Sequence, residues 1–180
     1  MPFARLLQAI EFAADKHRAQ RRKSAEDVPY INHSLQVARL LADPGGVEDE
    51  ELLMAAVLHD TLEDTATTRD ELTAAFGPAV CGLVEEVSDD KSLPKAERKR
   101  QQIVHAPKRS PGAALIKLAD KIANVGDLRH APPADWSVDR IRDYLDWAEQ
   151  VVQALPKVNP ALEARFARVL ASVRRASGGS

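Results

Sequence analysis

The chain has 180 residues, 44% hydrophobic and 29% charged, with 25 basic against 27 acidic residues for a formal net charge of −2. That length and composition give one self-supporting globular domain and exclude wholesale disorder; without a basic surplus, a general nucleic-acid binder is excluded too. A lone cysteine, Cys81, rules out an internal disulfide and suits a reducing cytoplasm, and the longest apolar run, Leu52 to Leu58, is too short for a membrane crossing of about 20 residues.

Helical signals then follow one another along the chain. Leu6, Ile10, Ala13 and Ala14 form one apolar stripe and predict a first helix. Lys23 to Pro29 is a loop, and Tyr30 to Ala42 a second helix that Pro44-Gly45-Gly46 ends. Glu48 to Asp64 reads as one continuous third helix, with acids in its first turn. Thr67 or Thr68 caps a short helix running to Phe76, where Gly77 stops it. Pro78 opens another to Val87. After a loop at Asp89 to Leu93, Pro94 opens a helix that Pro107 ends. Ser110-Pro111 starts the helix carrying Ala113 to Leu128. Two prolines place His130 to Asp135 in a loop, Ser137 caps a helix up to Leu155, and Asn159-Pro160 opens the last. No stretch alternates with period two. The expected fold is all-α, a single bundle of about eight or nine helices over residues 1–176. The small polar residues from Ala176 onward should fray, leaving 177–180 as a flexible tail.

The densest chemical signal is Leu58-His59-Asp60-Thr61-Leu62-Glu63-Asp64. On one helix, at about 100° per residue, His59, Asp60, Glu63 and Asp64 share a single arc. Three acids near a helix C-terminus oppose the macrodipole and repel one another, which a cation would relieve. His33 is a second candidate. Asp120, an acid between apolar residues, is a third: it needs a partner, either a cation or a salt bridge to Lys117 or Lys121. Asn124, one turn on, shares its face. Two imidazoles and two carboxylates suit Mn²⁺, Fe²⁺, Co²⁺ or Zn²⁺ better than Ca²⁺ or Mg²⁺. Of two basic clusters, Lys16 to Lys23 abuts the approach to His33, so Arg22 and Lys23 can reach a polyphosphate there. Lys95 to Arg100 reads as a solvated helix face. Trp136 and Trp147 read as core packing, and so does Cys81.

Five ordered stretches carry a family resemblance: His17 to Lys23, Pro29-Tyr30-Ile31-Asn32-His33, Leu58 to Asp64, Asp89 to Lys95 and Lys117-Leu118-Ala119-Asp120-Lys121. The sequence resembles the HD-domain small alarmone hydrolases of the metazoan SpoT-homologue type, relatives of the RelA/SpoT hydrolase domain, from about Leu6 to Leu155. The resemblance implies one Mn²⁺ held by His33, His59, Asp60 and Asp120, with Glu63 and Asp64 as the catalytic pair. It implies hydrolysis of the 3′-pyrophosphate of ppGpp or pppGpp to GDP or GTP and pyrophosphate. It also implies a nucleotide site near Arg22, Lys23, Tyr30, Asn124 and Tyr144, and NADPH as an alternative substrate. A nucleotide sensor without turnover is the competing class. The sequence departs from the pattern at Ser34, where relatives often have proline. It departs again at Gly126, where many carry arginine, an expected loss of one cation from the phosphate site.

Overall fold

In the computed structural model, which describes residues 3–23 and 27–178, ten α-helices and one short 3-10 turn account for the regular structure. They are α1 (Ala4–Lys16), α2 (Ile31–Ala42), α3 (Glu50–Leu58), α4 (Thr61–Asp64), α5 (Arg69–Phe76), α6 (Pro78–Val87), α7 (Lys95–His105), α8 (Pro111–His130), α9 (Val138–Ala154) and α10 (Pro160–Gly178). The all-α expectation holds among the described residues, where the sole β-type pairing is an isolated bridge between Arg21 and Pro29. No described helix is long and apolar enough to cross a membrane.

Most boundaries follow the capping residues. Thr68 Oγ1 accepts from the Glu71 amide, Ser110 Oγ from Ala113 and Ser137 Oγ from Arg140. Asp49 starts α3 by accepting from the amides of Glu51 and Leu52. These bonds satisfy amides that have no partner within the helix.

Two helices form the interior. In α3, Leu52 and every residue from Met54 to Leu58 are buried, and the helix packs against α1, α2 and α6. The longer α8 packs against α2, α6, α9 and α10. It buries Ala113, Ala114, Ile116, Leu118, Ala119 and Ile122, but also the polar Lys117, Asp120 and Lys121. Burying three ionisable side chains on one stripe is costly unless they meet charge or polar space. That stripe forms one wall of the site.

One expectation is corrected. The helix expected over Glu48 to Asp64 is broken in two, because Asp60 adopts φ −102° and ψ 0° between α3 and α4. The cause is local competition for carbonyls: His59 Nδ1 donates to Ala56 O at 2.8 Å and Thr61 Oγ1 to Leu58 O at 2.7 Å. At the C-terminus α10 runs to Gly178, with Ser177 Oγ donating back to Val173 O; residues 179–180 of the expected tail lie outside the described residues. Finally, a β-carbon at Gly126 would lie 3.7 Å from Val169 Cγ1, so a side chain there leaves toward α10.

Candidate metal centre and its cavity

The break between α3 and α4 carries His59 and Asp60 to the first turn of α2, where His33 sits, and to the middle of α8, where Asp120 sits. One donor atom each from His33, His59 and Asp60 lies within 4.8 Å of the others. Asp120 closes the group: its Oδ1 is 3.2 Å from His33 Nε2 and 3.9 Å from His59 Nε2. Asp60 Oδ2 is 2.9 Å from His59 Nε2 and 3.7 Å from His33 Nε2. Both imidazoles are buried, at 2% and 3% exposure, too dry for solvent to satisfy them.

This donor set fits a divalent cation. His59 Nδ1 holds its proton against Ala56 O, so the neutral ring turns a lone pair on Nε2 toward the Asp60 carboxylate. Nε2 is buried and has no hydrogen-bond partner. A lone pair facing an anion is repulsive until a proton or a metal ion lies between them. Burial opposes protonating His59, yet Asp60 and Asp120 outweigh it and hold its pKa above the ordinary histidine value. His33 goes the other way: burial lowers its pKa and Asp120 only partly restores it. Burial would raise Asp120, but Lys121 and His33 hold it well below the usual carboxylate range, and Asp60 is depressed as well, chiefly by His59. Two anionic carboxylates and one imidazole that stays neutral are what a cation requires.

Neighbouring side chains fix these donors. Tyr30 Oη donates to Asp60 Oδ2 at 2.5 Å, Asn124 Nδ2 to Asp120 Oδ1 at 2.5 Å, and Lys121 Nζ to Asp120 Oδ2 at 3.1 Å. Arg22 Nη2 reaches Asn124 Oδ1 at 2.9 Å and Asp127 Oδ2 at 2.6 Å. Pairing of Arg22 N with Val28 O and of Tyr30 N with Gln20 O presents both residues to the site. Three of the residues placed beside the nucleotide by resemblance, Arg22, Tyr30 and Asn124, thus brace the His/Asp cluster directly or through one bond.

Glu63 and Asp64 stand one turn past Asp60 and are gathered under Lys91. Its Nζ is 3.4 Å from Glu63 Oε1 and 2.6 Å from Asp64 Oδ1. Glu63 also accepts from the Asp89 amide at 2.9 Å, while Arg98 Nη1 approaches Oε1 at 3.9 Å. Burial raises the Glu63 pKa, with the Asp89 amide opposing. A carboxylate so placed can accept a proton nearer neutrality than an ordinary glutamate.

Asp60, Glu63, Asp64 and Asp120 lie at one end of a cavity of about 550 Å³. Its other wall is aromatic: Tyr144 lies between Trp136 and Trp147, with ring centroids at 5.4 and 5.3 Å. Burial pushes the Tyr144 hydroxyl up to about 12, with Lys121 opposing. Lys99 and Lys121 each hold an ammonium 4.7 Å from the Trp147 ring centroid. Lys23 lines the rim and is exposed.

Trp136 and Trp147 pack against the hydrophobic core as expected, and they also wall the cavity. One expectation falls: Lys95, Arg98, Lys99 and Gln102 line the cavity instead of a solvated face. Their spacing of i, i+3, i+4 and i+7 is one stripe of α7, a signal the sequence carried. Lys117, Lys121 and Asp89 also line the cavity, and sequence reasoning gave them no site role.

An all-α bundle with a His/Asp cluster where α2, α8 and the α3–α4 break meet, opening on a cationic cavity, is the architecture of HD-type domains. The HD-domain family pattern matches residues 9–144, and the chain belongs to that family. It is 56% identical over 160 residues to the guanosine-3′,5′-bis(diphosphate) 3′-pyrophosphohydrolase MESH1 of Mus musculus, covering 89% of each chain. It is 47% identical to the protein of the same name from Drosophila melanogaster, covering 92% of each. A solved structure of a metazoan ortholog of SpoT that hydrolyses ppGpp superposes with a TM-score of 0.92 at 45% identity, covering 96% of this chain and 97% of that one.

Proposed function

We propose that this chain, as one cytoplasmic domain over residues 1–176, hydrolyses the 3′-pyrophosphate of ppGpp and pppGpp, using Mn²⁺ at His33, His59, Asp60 and Asp120. The observation that carries the reading is the unpartnered His59 Nε2 facing Asp60 at the floor of a cavity lined by cations and aromatics. The activity named for the MESH1 relatives supports it. A divalent cation held there supplies a Lewis acid for a phosphoryl oxygen and lowers the pKa of water.

The residues of the chain do the rest. Glu63 or Asp64 takes a proton from the attacking water. The water oxygen bonds to the phosphorus attached at the 3′ oxygen, and the bond from that phosphorus to the 3′ oxygen breaks. The proton taken from water ends on the 3′ oxygen, so GDP or GTP and pyrophosphate are the products. Lys23, Lys95 and Lys99 offset phosphate charge, and the Trp136–Tyr144–Trp147 wall receives flat apolar surface of the nucleoside.

The test is product analysis of purified protein with ppGpp, with Mn²⁺, with a chelator, and with NADPH in parallel. Mn²⁺-dependent release of GDP and pyrophosphate is the expected result. Phosphate released from NADPH with no alarmone turnover would change the substrate. Tight ppGpp binding without product would make the chain a sensor.

A further inference from the structure

Lys117 is 93% buried by its 7% exposure, yet its side chain opens into the cavity. Among the described residues no carboxylate or other acceptor lies within ion-pair or hydrogen-bond distance of its ammonium; Asp120 and Asp89 act on it only from further off. Other cations of the cavity are engaged: Lys121 with Asp120, Lys91 with Glu63 and Asp64, Arg22 with Asp127. A buried, unpaired ammonium destabilises a fold unless an anion arrives to meet it.

Its position says which anion. Along α8 the cavity-facing residues run Lys117, Asp120, Lys121, Asn124, Asp127 and Leu128. At about 1.5 Å of rise per residue, Lys117 lies about 4.5 Å from the Asp120 level, on the side away from Asn124. The aromatic wall starts beyond the C-terminal end of α8, at Trp136, and returns along α9 to Trp147, which faces Lys121. No ring of that wall is paired with the Lys117 ammonium as Trp147 is with Lys121. A nucleoside on the wall and a reacting phosphorus at the Asp60/Asp120 level leave the next phosphate nearest Lys117.

We propose that Lys117 binds the distal phosphate of the 3′-pyrophosphate group and holds it as the pyrophosphate product forms. The identity of that phosphate rests on the hydrolase reading; the anion subsite does not. Lys117 is thus a specificity determinant for a diphosphate over a single phosphate at the 3′ position.

The experiment compares wild type, Lys117→Met and Lys117→Arg, with bound metal measured in each and inorganic pyrophosphate as the probe. Lys117→Met should keep its metal and melt about 2–4 °C higher, because an unpaired buried charge has been removed. Pyrophosphate should no longer raise its melting temperature, and kcat/KM for ppGpp should fall about ten-fold or more. With a single 3′-phosphate in the substrate, the variant should match wild type. Lys117→Arg should retain pyrophosphate binding. If Lys117→Met melts lower than wild type, or still binds pyrophosphate as wild type does, the subsite is overturned. If wild type fails to turn over ppGpp while its pyrophosphate binding depends on Lys117, the hydrolase reading fails and the subsite stands.

Discussion

The Tyr30 phenol donates to Asp60 Oδ2 at 2.5 Å, so a residue expected beside the nucleotide is bonded to a carboxylate of the His/Asp cluster. Burial and the Asp60 charge push the phenol pKa far above its ordinary value, so Tyr30 stays a donor throughout the working pH range. The contact fixes the carboxylate that faces His59 Nε2. Tyr30→Phe removes one hydroxyl and leaves the ring against His17, with centroids 4.8 Å apart. Losing such a support weakens metal binding about 10- to 100-fold. Metal titration of the chelator-stripped variant should show this, with an unchanged helical circular dichroism spectrum.

Asn124 joins two parts of the site. Its Nδ2 donates to Asp120 and its Oδ1 accepts from Arg22. Asn124→Ala takes away both bonds and leaves Arg22 held by Asp127 alone. The expected loss is about 1–3 kcal/mol of stability in urea unfolding, because two hydrogen bonds to charged groups are lost while Arg22 keeps Asp127 and Asp120 keeps Lys121. Metal affinity should fall in the same variant, as Asp120 loses one of its orienting donors. Unaltered stability and unaltered metal binding together would show that the bridge does not brace the cluster.

The acid pair predicts a pH profile. Burial raises the Glu63 pKa above its ordinary glutamate value of 4.5. A protonated Glu63 cannot accept a proton from water, so kcat/KM should fall as pH drops through that raised value. The acid limb therefore lies above the position of an exposed glutamate. Glu63→Gln should lower kcat about 10²- to 10⁴-fold while leaving bound metal unchanged. Profiles recorded with metal content measured at each pH separate this limb from metal loss.

How much of this was legible depended on whether the cause was local. The caps at Thr68, Ser110 and Ser137 and the proline at the start of α6 were legible because each acts within one turn. His33, His59, Asp60 and Asp120 were legible as a set through ordered motifs, and the fold brings all four together. The break at Asp60 was not legible. No glycine or proline marks it, and the side chains of His59 and Thr61 make it by taking the carbonyls of Ala56 and Leu58. The role of Tyr30 was hidden, since its partner Asp60 is 30 residues away; the i, i+4 placement of Asn124 beside Asp120 was legible, but its bond to Arg22 was not. A basic run such as Lys95 to Arg100 has the same composition whether it meets water or a phosphate cavity; only the packing of α7 near α9 decides.

Gly126 tests that distinction directly. The family resemblance made it a missing phosphate-binding cation, whereas its β-carbon direction points to Val169 on α10. The 3.7 Å separation is ordinary van der Waals contact, so a methyl group fits. Gly126→Ala should stabilise the fold by about 0.5–1 kcal/mol, because glycine inside a helix carries extra backbone entropy in the unfolded chain. Its kcat/KM should stay within about two-fold of wild type, the ordinary reach of a substitution that touches no site residue. Gly126→Arg should likewise leave the KM for ppGpp unchanged. A clear fall in KM on adding that arginine would mean that the side chain bends back from α10 to the phosphates, and that the gap in the sequence pattern was a functional one.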